Sequence, residues 1–157
     1  DDIRIPDSFE IARKMSLSYS FGIANLTSAH PNSVVLEVKG KSGRTLEVQA
    51  CSLGGGRIMI NRLDGLDVNC SCEIPTLIVH NLDQPGHVAA VTSMLAHKSV
   101  NIANMSLYRD KRGGSAVMVV EMDQPLPKES LEWLEHLEGI VKVTYINVTE
   151  GEEDDVL

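Results

Sequence analysis

Between Thr76 and Val148, strand-like and helix-like segments follow one another in the order β-α-β-β-α-β. Helices are predicted at 85–98 and 127–137, where apolar residues recur at helical spacing. Strands rich in Val, Ile, Leu and Met are predicted at 76–81, 100–108, 115–122 and 140–148. This order predicts a ferredoxin-like unit, in which two helices cover one face of a four-stranded antiparallel sheet.

The opposite face of that sheet has no predicted cover. We therefore expect it to be wet or buried by a partner, because an antiparallel sheet can keep one face in water. Such an open face, or an unpaired edge strand, would also let two copies of the chain associate. A homo-oligomer formed through this unit is the expected assembly.

The N-terminal half is predicted to be a small β-rich unit. A helix is predicted at 7–15, and Asp64-Gly65 is typical of a turn within the less regular segment 63–72. Strands are predicted at 18–25, 33–38, 45–51 and 57–61. With a boundary near 73–75, the prediction is an α+β protein with domains 1–73 and 74–148 and a disordered acidic tail, 149–157.

Composition excludes some classes of partner. The formal net charge of −8 argues against nucleic acid, whose binding relies on Lys and Arg neutralising phosphates. No apolar run approaches the ~20 residues of a membrane-spanning helix, and the acidic first residues do not resemble a signal peptide. Three cysteines, an odd number, fit a reducing compartment, so we expect a cytoplasmic protein.

The sequence gives no sign of catalysis or of a metal. It contains no H-E-x-x-H, P-loop or G-x-G-x-x-G motif, and its histidines are scattered. Cys51, Cys70 and Cys72 are too few and too irregularly spaced for the usual four-ligand zinc or iron–sulfur sites. We interpret them as reduced structural residues.

One candidate binding segment is the run Gly54-Gly55-Gly56 followed by Arg57. Three glycines between two predicted strands cost backbone entropy. Backbone N–H groups beside Arg57 could hold a carboxylate or phosphate. A tight bend or bulge explains the same residues equally well.

The second candidate is the junction between the strand ending at His80-Asn81 and the helix beginning at Pro85-Gly86. The start of a helix favours an anion, and Asn81 and Gln84 can both donate and accept hydrogen bonds. The other candidate contacts with a small polar ligand are His80, Asp83, Pro85, Gly86, Asn101 and Asn104. The alternative is that this stretch only turns the chain and caps the helix.

The stretch HNLDQPGHVAAVTSMLAHKSVNIANMSL resembles an ACT domain. The matching features are His80-Asn81, the Asp83-x-Pro85-Gly86 turn and the strand beginning Val100-Asn101-Ile102. The resemblance implies a βαββαβ regulatory module that binds an amino acid, commonly at an interface between two copies.

The preceding segments HPNSVVLEV and GRTLEVQACSLGGGRIMI resemble the allosteric substrate-binding domain of iron–sulfur L-serine dehydratases. The whole chain is thus similar to the β, or regulatory, subunit of that family. The resemblance implies a complex that converts L-serine to pyruvate and ammonia on a [4Fe–4S] cluster held by a catalytic α subunit or domain. No cofactor and no catalytic residue are expected in this chain.

Two alternatives remain open, namely the effector-binding region of a D-3-phosphoglycerate dehydrogenase and a stand-alone amino-acid sensor. The resemblance also implies that the first domain is incomplete. Members of the family carry a Ser-Ser-Ser-His-Thr segment well upstream of the Ile-Pro-x-Ser stretch found here at 5–8.

Overall fold

The computed structural model describes residues 3–27 and 29–147. A short 3-10 helix, Ile5–Asp7, leads into α1, Ser8–Lys14. The first four strands are β1 (Ser33–Lys39), β2 (Thr45–Gly54), β3 (Arg57–Leu63) and β4 (Leu66–Cys70). The remaining elements are β5 (Thr76–Leu82), α2 (His87–His97), β6 (Ile102–Arg109), β7 (Ser115–Met122), α3 (Lys128–Glu135) and β8 (Ile140–Ile146). The acidic segment 149–157 lies outside the described residues.

The first sheet is an antiparallel meander with the strand order β1-β2-β3-β4. The hairpin between β2 and β3 closes on the pair Gly54–Arg57. The next hairpin closes on the pair Leu63–Leu66, so that Asp64 and Gly65 form the turn, both with positive φ. The prediction of a turn at Asp64-Gly65 is confirmed.

The second sheet has the strand order β6-β7-β5-β8, and all its neighbouring strands are antiparallel. Leu77 and Val79 of β5 share a buried core with Leu95 of α2 and Leu134 of α3. Both helices therefore cover the same face of the sheet. The α+β class and the βαββαβ order are confirmed, whereas the division into domains 1–73 and 74–148 stays a prediction.

The opposite face of the second sheet is covered by the first sheet. Ile78, Val117 and Val119 form a second buried core with residues of β3 and β4, including Ile60 and Val68. The prediction that this face is wet or buried by a partner is wrong, because the chain folds its own N-terminal sheet onto it. Strand alternation shows that a face is apolar but does not say what covers it.

The N-terminal arm, residues 3–27, has no buried residue in its helical part. Leu17, Tyr19 and Phe21 alternate as in a strand, but they are exposed and pair with no strand in the described ranges. The prediction of a strand at 18–25 is wrong, since a pleated pattern needs a neighbouring strand to form a ladder. The ring of Phe9 instead stacks on Tyr19, with centroids 5.3 Å apart.

Within the described ranges, none of the helices has the length and apolar character needed to span a membrane.

Candidate functional site

The turn that joins β5 to α2 is tied to the hairpin loop between β6 and β7. The carboxylate of Asp83 accepts hydrogen bonds from Arg109 Nη1 at 3.0 Å and from the backbone N–H of Gly113 at 2.9 Å. These bonds, the one from Gly113 first, hold the pKa of Asp83 below its ordinary value. The predicted site residue Asp83 is therefore engaged in fixing the turn.

His87, in the first turn of α2, joins three segments at the same end of the sheet. Its Nδ1 lies 3.0 Å from the carbonyl oxygen of Leu82, and its Nε2 lies 3.0 Å from that of Glu138. The backbone N–H of Leu82 also donates to the carbonyl of Gly139 at 2.9 Å. The buried imidazole thus holds the end of β5 and the segment after α3 together. His87 was not among the predicted site residues. The one local signal that could have identified it is its position directly after Pro85-Gly86.

Asn81 lies beside this imidazole and is only 4% exposed. Its Nδ2 donates to the carbonyl of Leu82 at 2.6 Å and lies 3.4 Å from Nδ1 of His87. Its Oδ1 is buried and has no hydrogen-bond partner among the described residues. A buried acceptor without a partner is costly, so Oδ1 is an unsatisfied acceptor at this junction.

The N-terminus of α2 begins next to Asn81, and no side chain in the described chain caps it. Gln84, Pro85 and Gly86 are exposed. Gly86 has φ +104°, a conformation that favours glycine, although a Cβ there would meet no atom within 4 Å. The first N–H groups of α2 and their dipole therefore face an open surface and favour a negative group.

His80 is the neighbour of Asn81, but it points to the other face of the sheet. Its Nε2 lies 3.5 Å from Oδ2 of Asp64, in the turn between β3 and β4. Asp64 also accepts a hydrogen bond from Lys142 of β8. Burial, the largest influence, lowers the pKa of His80, although the nearby Asp64 carboxylate opposes it. The structure places His80 in the contact between the two sheets.

Asn101 and Asn104 lie at the opposite end of the second sheet from Asn81. Asn104 pairs with Glu121, which pairs with Thr76 at the start of β5. The five residue-to-residue steps from Thr76 to Asn81 correspond to about 17 Å of strand. The prediction that these two asparagines share a crevice with Asn81 is wrong, because α2 carries the chain across the whole sheet before β6 begins.

The glycine run forms the hairpin between β2 and β3. Its glycines have φ values of +84°, +64° and +79°, and Gly55 and Gly56 are the two turn residues. A two-residue turn with positive φ at both positions is the favoured hairpin connection. The N–H of Glu47 in β2 bonds to Asp64, and Gly54 lies seven residues further along the same strand. Seven residues correspond to about 23 Å of strand. The glycine run and the Asn81 junction are therefore separate places, and anion binding by Arg57 stays a prediction.

The three cysteines are buried and free. The sulfur atoms of Cys70 and Cys72 lie 3.1 Å apart. No group of three His, Cys, Asp or Glu side chains within 3–27 and 29–147 is arranged to hold a metal ion.

The described geometry agrees with what comparisons with known proteins show. Residues 75–138 match the family model of the ACT domain. The chain is 32% identical to the probable L-serine dehydratase beta chain of Bacillus subtilis over 92% of its own length and 66% of that protein. It is 30% identical to the L-serine dehydratase beta chain of Peptoniphilus asaccharolyticus over 94% of its length and 67% of that protein.

The chain belongs to the L-serine dehydratase beta-chain family. It spans about two thirds of the length of these two beta chains. A D-3-phosphoglycerate dehydrogenase of Methanocaldococcus jannaschii is 31% identical over 57% of this chain, but only 17% of that enzyme is covered. Beta chains of the family are thus matched over both sheets, and the identified ACT domain contains the Asn81 junction.

Proposed function

We propose that the chain is the regulatory chain of an iron–sulfur L-serine dehydratase and that it binds L-serine or a related small amino acid at the Asn81–Gly86 turn. Membership of the beta-chain family and the ACT domain support the role. The observation that carries the location is the buried Oδ1 of Asn81, which has no partner among residues 3–27 and 29–147 and lies beside an exposed helix start that no side chain in those ranges caps.

The two ends of an amino acid match this arrangement. The ammonium group would donate to Oδ1 of Asn81, and the carboxylate would accept from the first N–H groups of α2. Asp83 would act indirectly by holding the turn through Arg109 and Gly113. Gly86 would keep the approach to the helix start free of a side chain.

In this proposal the dehydration takes place in a partner, a catalytic α chain that carries the [4Fe–4S] cluster. The described part of this chain does not fit the cluster, because its three cysteines form no ligand group with other metal-binding side chains. The cluster would supply the Lewis acid for loss of the serine hydroxyl. Three free cysteines are also compatible with a reducing, cytoplasmic setting.

Regulation would follow from unequal affinity. Serine shifts the activity of a partner only if it binds two states of the complex with different free energies. The junction around His87 is suited to this, because it connects the turn to the segment between α3 and β8. The edge strands of the second sheet, β6 and β8, would provide self-association through the ACT domain.

The proposal is tested by calorimetric titration of the chain, alone and assembled with the catalytic chain. L-serine should release or absorb heat, while D-serine and L-alanine should bind much more weakly. Asn81→Ala should weaken L-serine binding about tenfold or more, because it removes an acceptor for a charged donor. The matched variant Asn104→Ala, at the far end of the sheet, should leave affinity unchanged.

Loss of the Nδ2 bond to Leu82 should also cost Asn81→Ala about 1 kcal/mol of unfolding free energy. Unfolding curves recorded on the same samples separate this cost from the change in affinity. Stereospecific binding that survives in Asn81→Ala would move the site elsewhere. Absence of serine binding in the assembled complex would refute the proposal itself.

A further inference from the structure

A groove of about 570 Å³ lies between α2 and α3 and is lined by residues of these helices and of the segments just after them. Its α2 side is formed by residues spaced along one stripe, including Ala90 and Met94, and ends at Lys98. Its α3 side includes Glu129, Ser130 and Trp133, and the indole of Trp133 is 45% exposed.

The groove has one polar and one apolar end. The strands β5 and β7 are antiparallel, so the helices that follow them are antiparallel as well. The contact between His87 and the carbonyl of Glu138 confirms that the start of α2 meets the end of α3. Lys98, just after α2, therefore lies at the end of the groove where Glu129 occupies the first turn of α3. Ala90 and Leu137 line the other end.

The polar end of the groove carries one positive and one negative side chain. Neither the ammonium of Lys98 nor the carboxylate of Glu129 makes a hydrogen bond or ion pair with the described residues. Ser130 is 2% exposed, and its Oγ has no hydrogen-bond partner among the described residues. A buried hydroxyl of this kind is costly unless something supplies a partner.

We infer that this groove binds an α-amino acid with a large apolar side chain, at a site separate from the serine site. The carboxylate of the ligand pairs with Lys98 and its ammonium with Glu129. A zwitterion satisfies both charges, whereas a simple acid would be repelled by Glu129 and a simple amine by Lys98. The apolar side chain lies along Met94 and against the face of Trp133. The Oγ of Ser130 provides a hydrogen bond for the head of the ligand.

The two sites are distinct because the polar end of the groove, at Lys98, lies just after the end of α2, whereas the proposed serine site lies at its start. That helix has 11 residues, which is about 16 Å of helix. The proposed serine site at Asn81 presents polar groups, while the groove presents apolar side chains such as Met94 and Trp133. The apolar character of the side chain therefore distinguishes the ligands of the two sites.

The test uses the emission of Trp133, which is the only tryptophan of the chain. The full chain is titrated with L-phenylalanine, and with 3-phenylpropionate and phenethylamine, which lack the ammonium and the carboxylate respectively. L-phenylalanine should change the emission saturably, and each analogue should bind about two- to fivefold more weakly, as expected for one exposed ion pair. L-serine should leave the emission unchanged.

Variants locate the ligand. Lys98→Ala and Glu129→Ala should each weaken L-phenylalanine about two- to fivefold, while the exposed matched changes Lys41→Ala and Glu132→Ala should have no effect. Asn81→Ala should leave L-phenylalanine binding intact, so failure of the serine proposal would not affect this result. An unchanged emission up to saturating L-phenylalanine would overturn the inference. Equal affinity for all three compounds would do the same.

Discussion

Replacing Gly139 by alanine would place a methyl group in the junction that positions Asn81. The new Cβ would lie 2.5 Å from Nε2 of His87 and 2.7 Å from its Cε1. The imidazole has little freedom to move away, because it is 8% exposed and both of its nitrogens lie 3.0 Å from carbonyl oxygens. Either the ring or the backbone after α3 must shift.

Two costs add in this variant. Gly139 has φ +81°, and a left-handed conformation costs a residue with a Cβ about 1–2 kcal/mol. Overpacking a filled site typically costs a further ~1–3 kcal/mol. We therefore expect Gly139→Ala to lower the free energy of unfolding by about 2–5 kcal/mol.

Gly43→Ala is the matched control, because Gly43 has φ +84° but no atom within 4 Å of the added Cβ. It should cost only the conformational part, about 1–2 kcal/mol. Urea unfolding followed by circular dichroism gives both values on the same scale. In a double-mutant cycle, His87→Ala should remove most of the extra cost of Gly139→Ala. Equal destabilisation by the two glycine variants would refute the reasoning about His87.

Three further outcomes follow from the packing and the charges. Burial lowers the pKa of His80, so the unfolded state binds more protons than the folded state below about pH 6.5 and the free energy of unfolding should fall there. Urea titrations at several pH values should show that His80→Gln reduces this loss. Burial raises the pKa of Asp64, but hydrogen bonds from Lys142 and the Glu47 N–H outweigh it and lower the pKa overall. Wild type should thus lose further stability as pH falls below about 3.8, and Asp64→Asn should lose less over that range, because the lowered pKa of Asp83 still contributes. Leu134 is 0% exposed, so Leu134→Ala should lower the free energy of unfolding by about 2–5 kcal/mol. Val141 is 70% exposed, so Val141→Ala should change it by no more than about 0.5 kcal/mol. Similar shifts of the melting temperature in the two variants would contradict the assigned core.

Local sequence patterns were sufficient for the elements of the second half. The strand 115–122 was predicted at its observed bounds, and helical spacing located α2 and α3 to within a few residues. These elements carry their own signals in apolar periodicity, Pro at a helix start and Gly after a helix end. The same signals found the junction at Asn81–Gly86, and the conformation of Gly86 shows why a glycine stands there.

Tertiary structure alone decided which of these residues meet. His80 and Asn81 are adjacent in sequence and were predicted to contact the same ligand, yet the alternation of a strand sends their side chains to opposite faces. Asn101 and Asn104 were likewise predicted to contact this ligand, although α2 crosses the sheet between Asn81 and β6, so that the length of the sheet separates them from Asn81. The partners that give the junction its form, Arg109, Gly113 and Glu138, come from segments remote in sequence.

The sequence by itself determined the order of the elements, because each is specified by its own apolar period and its own turn residues. Only the tertiary structure decided that the first sheet covers the second and that Asn81 Oδ1 is left without a partner in the described part of the chain. The physical reason is that burial and hydrogen-bond satisfaction depend on the neighbours that folding brings together, and local periodicity does not encode the identity of those neighbours.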